Sequence, residues 1–192
     1  MCIRDSSLPD GFKIEVLVSG LNNARSIALS DNDTLFVGTR RKGRVYAVSN
    51  VFDDDRTIYT LADERKMPNG VAFHEGDLYV GELSQIVRFS GIEERLDNPG
   101  EPEIVIANLP TKKLHGWKYI QFGPDDMLYV PQGSPCNVCN EPEFGVITRY
   151  KPCLLYTSDA ADDSLRVDLG GRRIIKKKIF FHQKAGYKVG GP

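Results

Sequence analysis

The sequence lacks a surplus of charge, a long apolar run and a helical period. Its 192 residues carry a formal net charge of -1 at pH 7. No stretch of about 18 apolar residues occurs, so no helical membrane span is expected. The opening residues, MCIRDSSLPDG, lack the apolar core of a secretory leader. Up to Pro152 no stretch repeats apolar residues at helical spacing. The chain holds one tryptophan, three histidines and four cysteines. Imidazole or thiol chemistry must therefore rest on very few side chains. The little net charge there is lies unevenly. Residues 153–192 hold 8 Lys+Arg and 4 Asp+Glu, and the other 152 residues hold 17 and 22. The body is mildly acidic, which argues against nucleic acid as its main partner.

What is present is alternation. Phe12, Ile14, Val16 and Val18 are apolar at every second position, which predicts a β-strand. Further short strands are expected at Ser26–Leu29, Thr34–Thr39, Arg44–Val48 and Arg56–Leu61. The turn Ser30-Asp31-Asn32-Asp33 lies among them, because Ser, Asp and Asn side chains bond their own backbone. The pattern then recurs. Val71–Phe73, the turn His74–Asp77, Leu78–Val80, Ile86–Phe89 and Glu103–Ala107 form a second unit. A third has the turn Gly123–Asp126, then Leu128–Val130 and Val146–Tyr150. Leu35-Phe36-Val37, Leu78-Tyr79-Val80 and Leu128-Tyr129-Val130 align at successive offsets of 43 and 50 residues. Four strands repeating at roughly 40–50 residues are the signature of a β-propeller blade. A β-sandwich could share the strand count, but here the triplet and the turn chemistry recur together. The expected fold is all-β: a partial six-bladed propeller of about three four-stranded blades.

Blade topology sorts the loops. The first-to-second-strand turns SDND, HEGD and GPDD belong to one face. Asn22–Arg25, Arg40–Lys42, Asn69, Glu82, His115 and Gln132–Asn140 share the other. Asn69 and His115 precede the innermost strands of successive blades, where a ligand cleft would form.

Past Pro152 the pattern stops. The run Arg172-Arg173-Ile174-Ile175-Lys176-Lys177-Lys178 could be a basic tail for phosphates. CLLYTSDAADDSLRVDLGGRRIIKKK instead resembles the translated sequencing-adapter peptide found at the ends of metagenomic gene predictions, and MCIRDS resembles its partner. On that reading residues 1–6 are a non-native leader, 7–152 a propeller fragment and 153–192 a non-native tail. Three blades cannot close a ring, so the outer two would have open edges.

The stretch LPTKKLHGWKYIQFGPDDMLYVPQGSPCNVCN, with MPNGVAFHEGDLYVGE before it, resembles the glucose/sorbosone dehydrogenase family, and most of all its L-sorbosone dehydrogenase-like branch. The likeness runs from about Leu8 to Tyr150. It implies the first half of a six-bladed propeller that oxidises a sugar with pyrroloquinoline quinone (PQQ), passing electrons to an external acceptor, in the periplasm or outside the cell. It also implies a calcium ion anchoring PQQ, with ligands expected in blades beyond this chain, so no metal ligand is assigned here. The family's catalytic base maps onto His115. An imidazole suits that role because it titrates near neutrality. The glucose-oxidising branch carries an Asp immediately before this His. Leu114 stands there instead, which argues against glucose itself. Asn69 falls where the family places polar side chains beside the sugar. Arg40 and Arg41 could meet the carboxylates of the cofactor. Gln132 and Glu82 are weaker candidates of the same kind. Trp117 could stack on a sugar but reads as core, and His74 reads as structural. The parent protein is expected to be the enzyme and this chain to be inactive.

Cys136-Asn137-Val138-Cys139 is not a haem motif, because residue 140 is Asn. A zinc site would need two more ligands. A thioredoxin-like pair should open a helix, which Pro135 opposes. A Cys136–Cys139 disulfide stapling the loop remains, and fits an oxidising compartment. Two other functions share the fold: a gluconolactonase-like metal-dependent hydrolase with Asn69 as a ligand, and a non-catalytic binding platform.

Overall fold

The computed structural model describes residues 7–138 and 141–151, together with the backbone of residues 174–175. It contains three four-stranded antiparallel sheets. The first is β1 (Ala24–Leu29), β2 (Leu35–Thr39), β3 (Val45–Ser49) and β4 (Thr57–Ala62), hydrogen-bonded in that order. The second is β5 (Gly70–His74), β6 (Asp77–Gly81), β7 (Ile86–Phe89) and β8 (Glu103–Ile106). The third is β9 (Gln121–Phe122), β10 (Leu128–Gln132), β11 (Val146–Tyr150) and β12 (Ile174–Ile175). Each sheet is an up-and-down meander of sequential neighbours. A short 3₁₀ turn at Ile92–Arg95 lies between β7 and β8.

The recurring triplets form the middle strands and pair in matching register. Phe36 faces Ala47, and Tyr79 faces Arg88. Alternation sends neighbouring side chains to opposite faces, and packing covers both. Phe36 and Ala47 meet Val71, Leu78, Val80 and Phe89 of the second sheet. Tyr79 and Ile86, on the opposite face of that sheet, meet Ile120, Leu128 and Val130 of the third. Burial on both faces explains why β2 has no exposed position. The outer face of the first sheet, with Leu35, Val37, Tyr46 and Val48, is partly covered by Val18 and Leu21.

One expected strand is absent. Phe12–Val18 is extended chain without a ladder, and Phe12 and Val16 are exposed. Alternation marks a segment able to pair, but a strand forms only where a neighbouring edge receives its N–H and C=O groups. The turns fall where expected. Asp33, Glu75 and Asp126, one in each first-to-second-strand turn, take positive φ angles of 56°, 49° and 55°. Asp tolerates that region better than most residues; Glu75 does so beside Gly76. The 153–192 segment lies outside the described residues apart from Ile174 and Ile175, which pair with Thr148 and Ile147.

Candidate functional site

The loop between β8 and β9 carries His115 and is fastened at three points. Lys112 Nζ reaches both Glu141 carboxylate oxygens at 2.7 and 2.8 Å. Gly116 N–H donates to Lys113 O at 3.2 Å, closing a tight turn. His115 itself is half-buried, and its Nδ1 lies 2.9 Å from Ser134 O. A carbonyl only accepts, so a neutral imidazole here carries its proton on Nδ1 and keeps a lone pair on Nε2. His115 adopts φ +54°, which a non-glycine residue takes only where its surroundings hold it there. Part of that hold is Gly133: a Cβ at that position would lie 2.2 Å from His115 O. The Ser134 hydroxyl in turn donates to Cys136 O at 2.8 Å. Cys136 is disulfide-bonded; Cys139 lies outside the described residues.

Asn69 sits one residue before β5 and is 3% exposed. Its Nδ2 donates to Lys118 O at 2.9 Å, and the Ser26 hydroxyl donates to its backbone carbonyl. Its Oδ1 is buried and has no hydrogen-bond partner among the described residues. A cavity of about 330 Å³ opens beside it, lined by Arg25, Ser26, Ile27, Asn69, Trp117 and Tyr119. Loops and strands of all three sheets meet there. Trp117 is not core: it is half-buried, on the loop before β9, with the Arg40 guanidinium 3.6 Å from its ring centroid. A cation over an indole face contributes about 0.5–2 kcal/mol. The His115 ring stands edge-on to Trp117 at 5.8 Å between centroids, so the imidazole is one ring removed from the cavity.

The remaining candidates separate. Arg41 is exposed and apart from Arg40's stack; its backbone N–H donates to Asn23 Oδ1 at 2.7 Å. Gln132 ends β10 and is buried, its Nε2 without a partner among the described residues. Its backbone carbonyl accepts Gly145 N–H at 2.8 Å. Glu82 is buried against Arg65, 2.5 Å away, and Gln85 Nε2, 2.8 Å away.

Sequence reasoning overlooked Lys118. It is wholly buried, and its Nζ donates to Leu83 O at 2.5 Å and Gly116 O at 3.2 Å. Burial pulls its pKa down from 10.5 to about 8. The signal was available: Lys118 is in phase with Ile120 and Phe122, so an alternating reading turns it inward.

No protein-family profile matches this chain. Among curated proteins it is similar to an uncharacterized protein of Borreliella burgdorferi, 23% identical over 142 residues, spanning 68% of this chain and 36% of that one. Solved structures are more informative. The PQQ-bound aldose sugar dehydrogenase of Streptomyces coelicolor superposes with a TM-score of 0.56 at 21% identity, over 72% of this chain and 47% of that one. The PQQ domain of pyranose dehydrogenase from Coprinopsis cinerea, in its holo form, gives 0.61 at 12% identity, over 77% and 38%. The three sheets are β-propeller blades. The chain spans less than half the length of each of these relatives. On the blades, β1, β5 and β9 are the innermost strands, so the cavity beside Asn69 lies where their leading ends converge.

Proposed function

We propose that this chain is part of a PQQ-dependent sugar dehydrogenase of the glucose/sorbosone dehydrogenase family, with His115 as the base. The observation that carries the reading is the Nδ1 contact of His115 with Ser134 O, because it leaves Nε2 as the basic nitrogen. The fold likeness to PQQ-bound sugar dehydrogenases supports it.

The residues present fit the group. Among the described residues Asn69 Oδ1 finds no donor and Gln132 Nε2 no acceptor, both at buried positions. Buried polar atoms of this kind await a partner, and sugar hydroxyls both donate and accept. Arg40, among the described residues, forms no ion pair within 4.0 Å and keeps its fork of N–H donors for an anion such as a quinone carboxylate. When bound, the quinone supplies the two-electron acceptor for the hydride leaving the sugar carbon. His115 Nε2 takes the hydroxyl proton as the carbonyl forms, and Ser134 O stabilises the resulting imidazolium through Nδ1–H. Asn69 orients the hydroxyl-bearing ring, and Trp117 walls the cavity against water. Calcium, on the family resemblance, would be held by residues of further blades. A disulfide at Cys136 suits a periplasmic or secreted protein.

The test begins by reading the gene across codons 6 and 152, where the frame should continue into further blades. The complete protein, loaded with PQQ and calcium, should reduce a redox dye with an aldose or sorbosone-type sugar, and the 192-residue chain should not. His115→Ala should abolish that turnover. Retained turnover in the variant, or metal-dependent lactone hydrolysis without quinone, overturns the assignment.

A further inference from the structure

Lys118 is costly where it stands. An ammonium removed from water loses hydration that two carbonyls only partly replace. Lysines ordinarily lay their stems along apolar surface and keep the charge in solvent, yet this one is 0% exposed. No carboxylate lies within 4.0 Å of it among the described residues. A methionine of similar length would fill the same space without the penalty. What methionine lacks is donors, and the two donors used here join separate parts of the chain. Leu83 lies on the β6–β7 loop of the second blade. That loop is itself anchored, since Leu83 N–H donates to Lys66 O at 3.0 Å and Glu82 is paired with Arg65. Gly116 is the residue after His115. The Lys118 backbone adds a third tie, because its carbonyl receives the Asn69 side-chain amide. That carbonyl passes so close to Gly70 that a Cβ there would lie 2.4 Å from it.

We infer that Lys118 is the positioning residue of this site: its ammonium fixes the His115 loop to the second blade through the Gly116 and Leu83 carbonyls, while its own carbonyl fixes the Asn69 amide. One residue thereby sets the placement of the base relative to the group that orients the substrate. Protonation suits the task, since an ammonium donates more strongly than an amine, and Lys118 remains largely charged at neutral pH. The inference rests on the reading of His115 and Asn69 as working residues, but its test needs no turnover.

The chain is labelled with ¹⁵N at its three histidines, and the His115 signals are assigned by their loss in His115→Gln. Wild-type His115 should show the Nδ1–H tautomer. Lys118→Met should move the tautomer ratio toward Nε2–H by roughly tenfold, the size expected for loss of one ordinary hydrogen bond. Lys118→Arg, which keeps the donors, should return much of it. A lysine that only fills the core would change the melting temperature and leave the tautomer alone. An unchanged Nδ1–H signature in folded Lys118→Met overturns the inference. Should that variant fail to fold, the wild-type chain decides. His115 nitrogen shifts should follow the titration of Lys118, followed through its own Nζ resonance and displaced downward by burial, and a flat His115 response across that titration overturns it. A failed quinone assay with a Lys118-dependent tautomer would remove the enzymatic reading and keep the positioning role. The opposite pair of results would do the reverse.

Discussion

His74 and His115 show what separates a histidine that packs from one poised to react. His74 ends β5 on the face of the first-to-second-strand turns. It stacks on Phe122, with ring centroids 4.0 Å apart at 13°, and its Nε2 lies 3.9 Å from the Glu75 carboxylate. The cleft around it, about 440 Å³, contains Arg88 and Asp125. Those groups already have partners. Arg88 reaches Glu103 at 2.7 Å and Asp77 at 3.4 Å, and Asp125 accepts from Tyr129 at 3.0 Å and Arg149 at 2.9 Å. One Arg88 nitrogen, Nε, has no hydrogen-bond partner among the described residues. On the opposite face His115 has a carbonyl on Nδ1 and a strained backbone, and Asn69 and Gln132 there hold amide atoms without a partner among the described residues. Both faces are rich in polar residues. The difference lies in whether those residues satisfy one another or keep bonding capacity in reserve.

The largest effect should come from exchanging the two histidines for glutamine in turn. On the proposed dehydrogenase reading, His115→Gln in the full-length protein should lower turnover by about 10²–10⁴-fold, the range of general base catalysis. His74→Gln should leave turnover within about twofold and cost about 1 kcal/mol of stability, because it loses an aromatic stack. Equal losses would erase the contrast between the faces. Gly133→Ala comes next. Its new methyl would meet His115 O and Cβ at 2.2 and 2.8 Å, so the loop must shift, at a cost of about 1–3 kcal/mol. Turnover should fall by about 10²-fold, as expected for a displacement of order 1 Å, and steady-state kinetics alongside thermal melts read both effects.

Lys118 yields a pH prediction. Its folded pKa of about 8 lies below its ordinary 10.5. Below pH 8 both states hold the proton, and the folded state bears the full cost of burying it. Between about 8 and 10.5 the unfolded chain holds more protons, so this residue makes stability rise with pH. Melting curves across that window should show a rising contribution that Lys118→Met removes. A difference between the two proteins that does not change with pH would place the ammonium in water. The smallest effect is expected on the turn face. Asp125→Asn loosens exposed contacts to Arg149 and Tyr129 and should leave the melting temperature nearly unchanged, because solvent screens such pairs, with turnover unchanged.

Much of the fold was legible in the residues. Triplets such as Leu78-Tyr79-Val80, bounded by His74–Asp77, announce strand, turn and repeat together, because alternation and turn chemistry act over a few residues. Phe12–Val18 carries the same alternation and forms no ladder, since pairing depends on an edge supplied from elsewhere. Trp117, read as core, lines the cavity under Arg40 because the third blade's inner strand begins only at Gln121. Asn69 and His115 both precede inner strands; Asn69 lines the cavity, and His115 stands one ring away from it, behind Trp117. Of the neighbouring arginines, Arg40 stacks on Trp117, whereas Arg41 bonds Asn23 through its backbone N–H.

The sequence by itself determined the blades, their order and the face to which each loop belongs. These follow from local periodicity and from the geometry of short turns. Tertiary structure alone decided which nitrogen of His115 meets a carbonyl, that Lys118 is buried, and which amide atoms find no partner among the described residues. Each depends on groups far apart in the chain: His115 on Ser134, Lys118 on Leu83, Asn69 on Lys118, Arg40 on Trp117. Hydrogen bonds and ring contacts act over a few ångströms, so only the packed blades bring such pairs within reach.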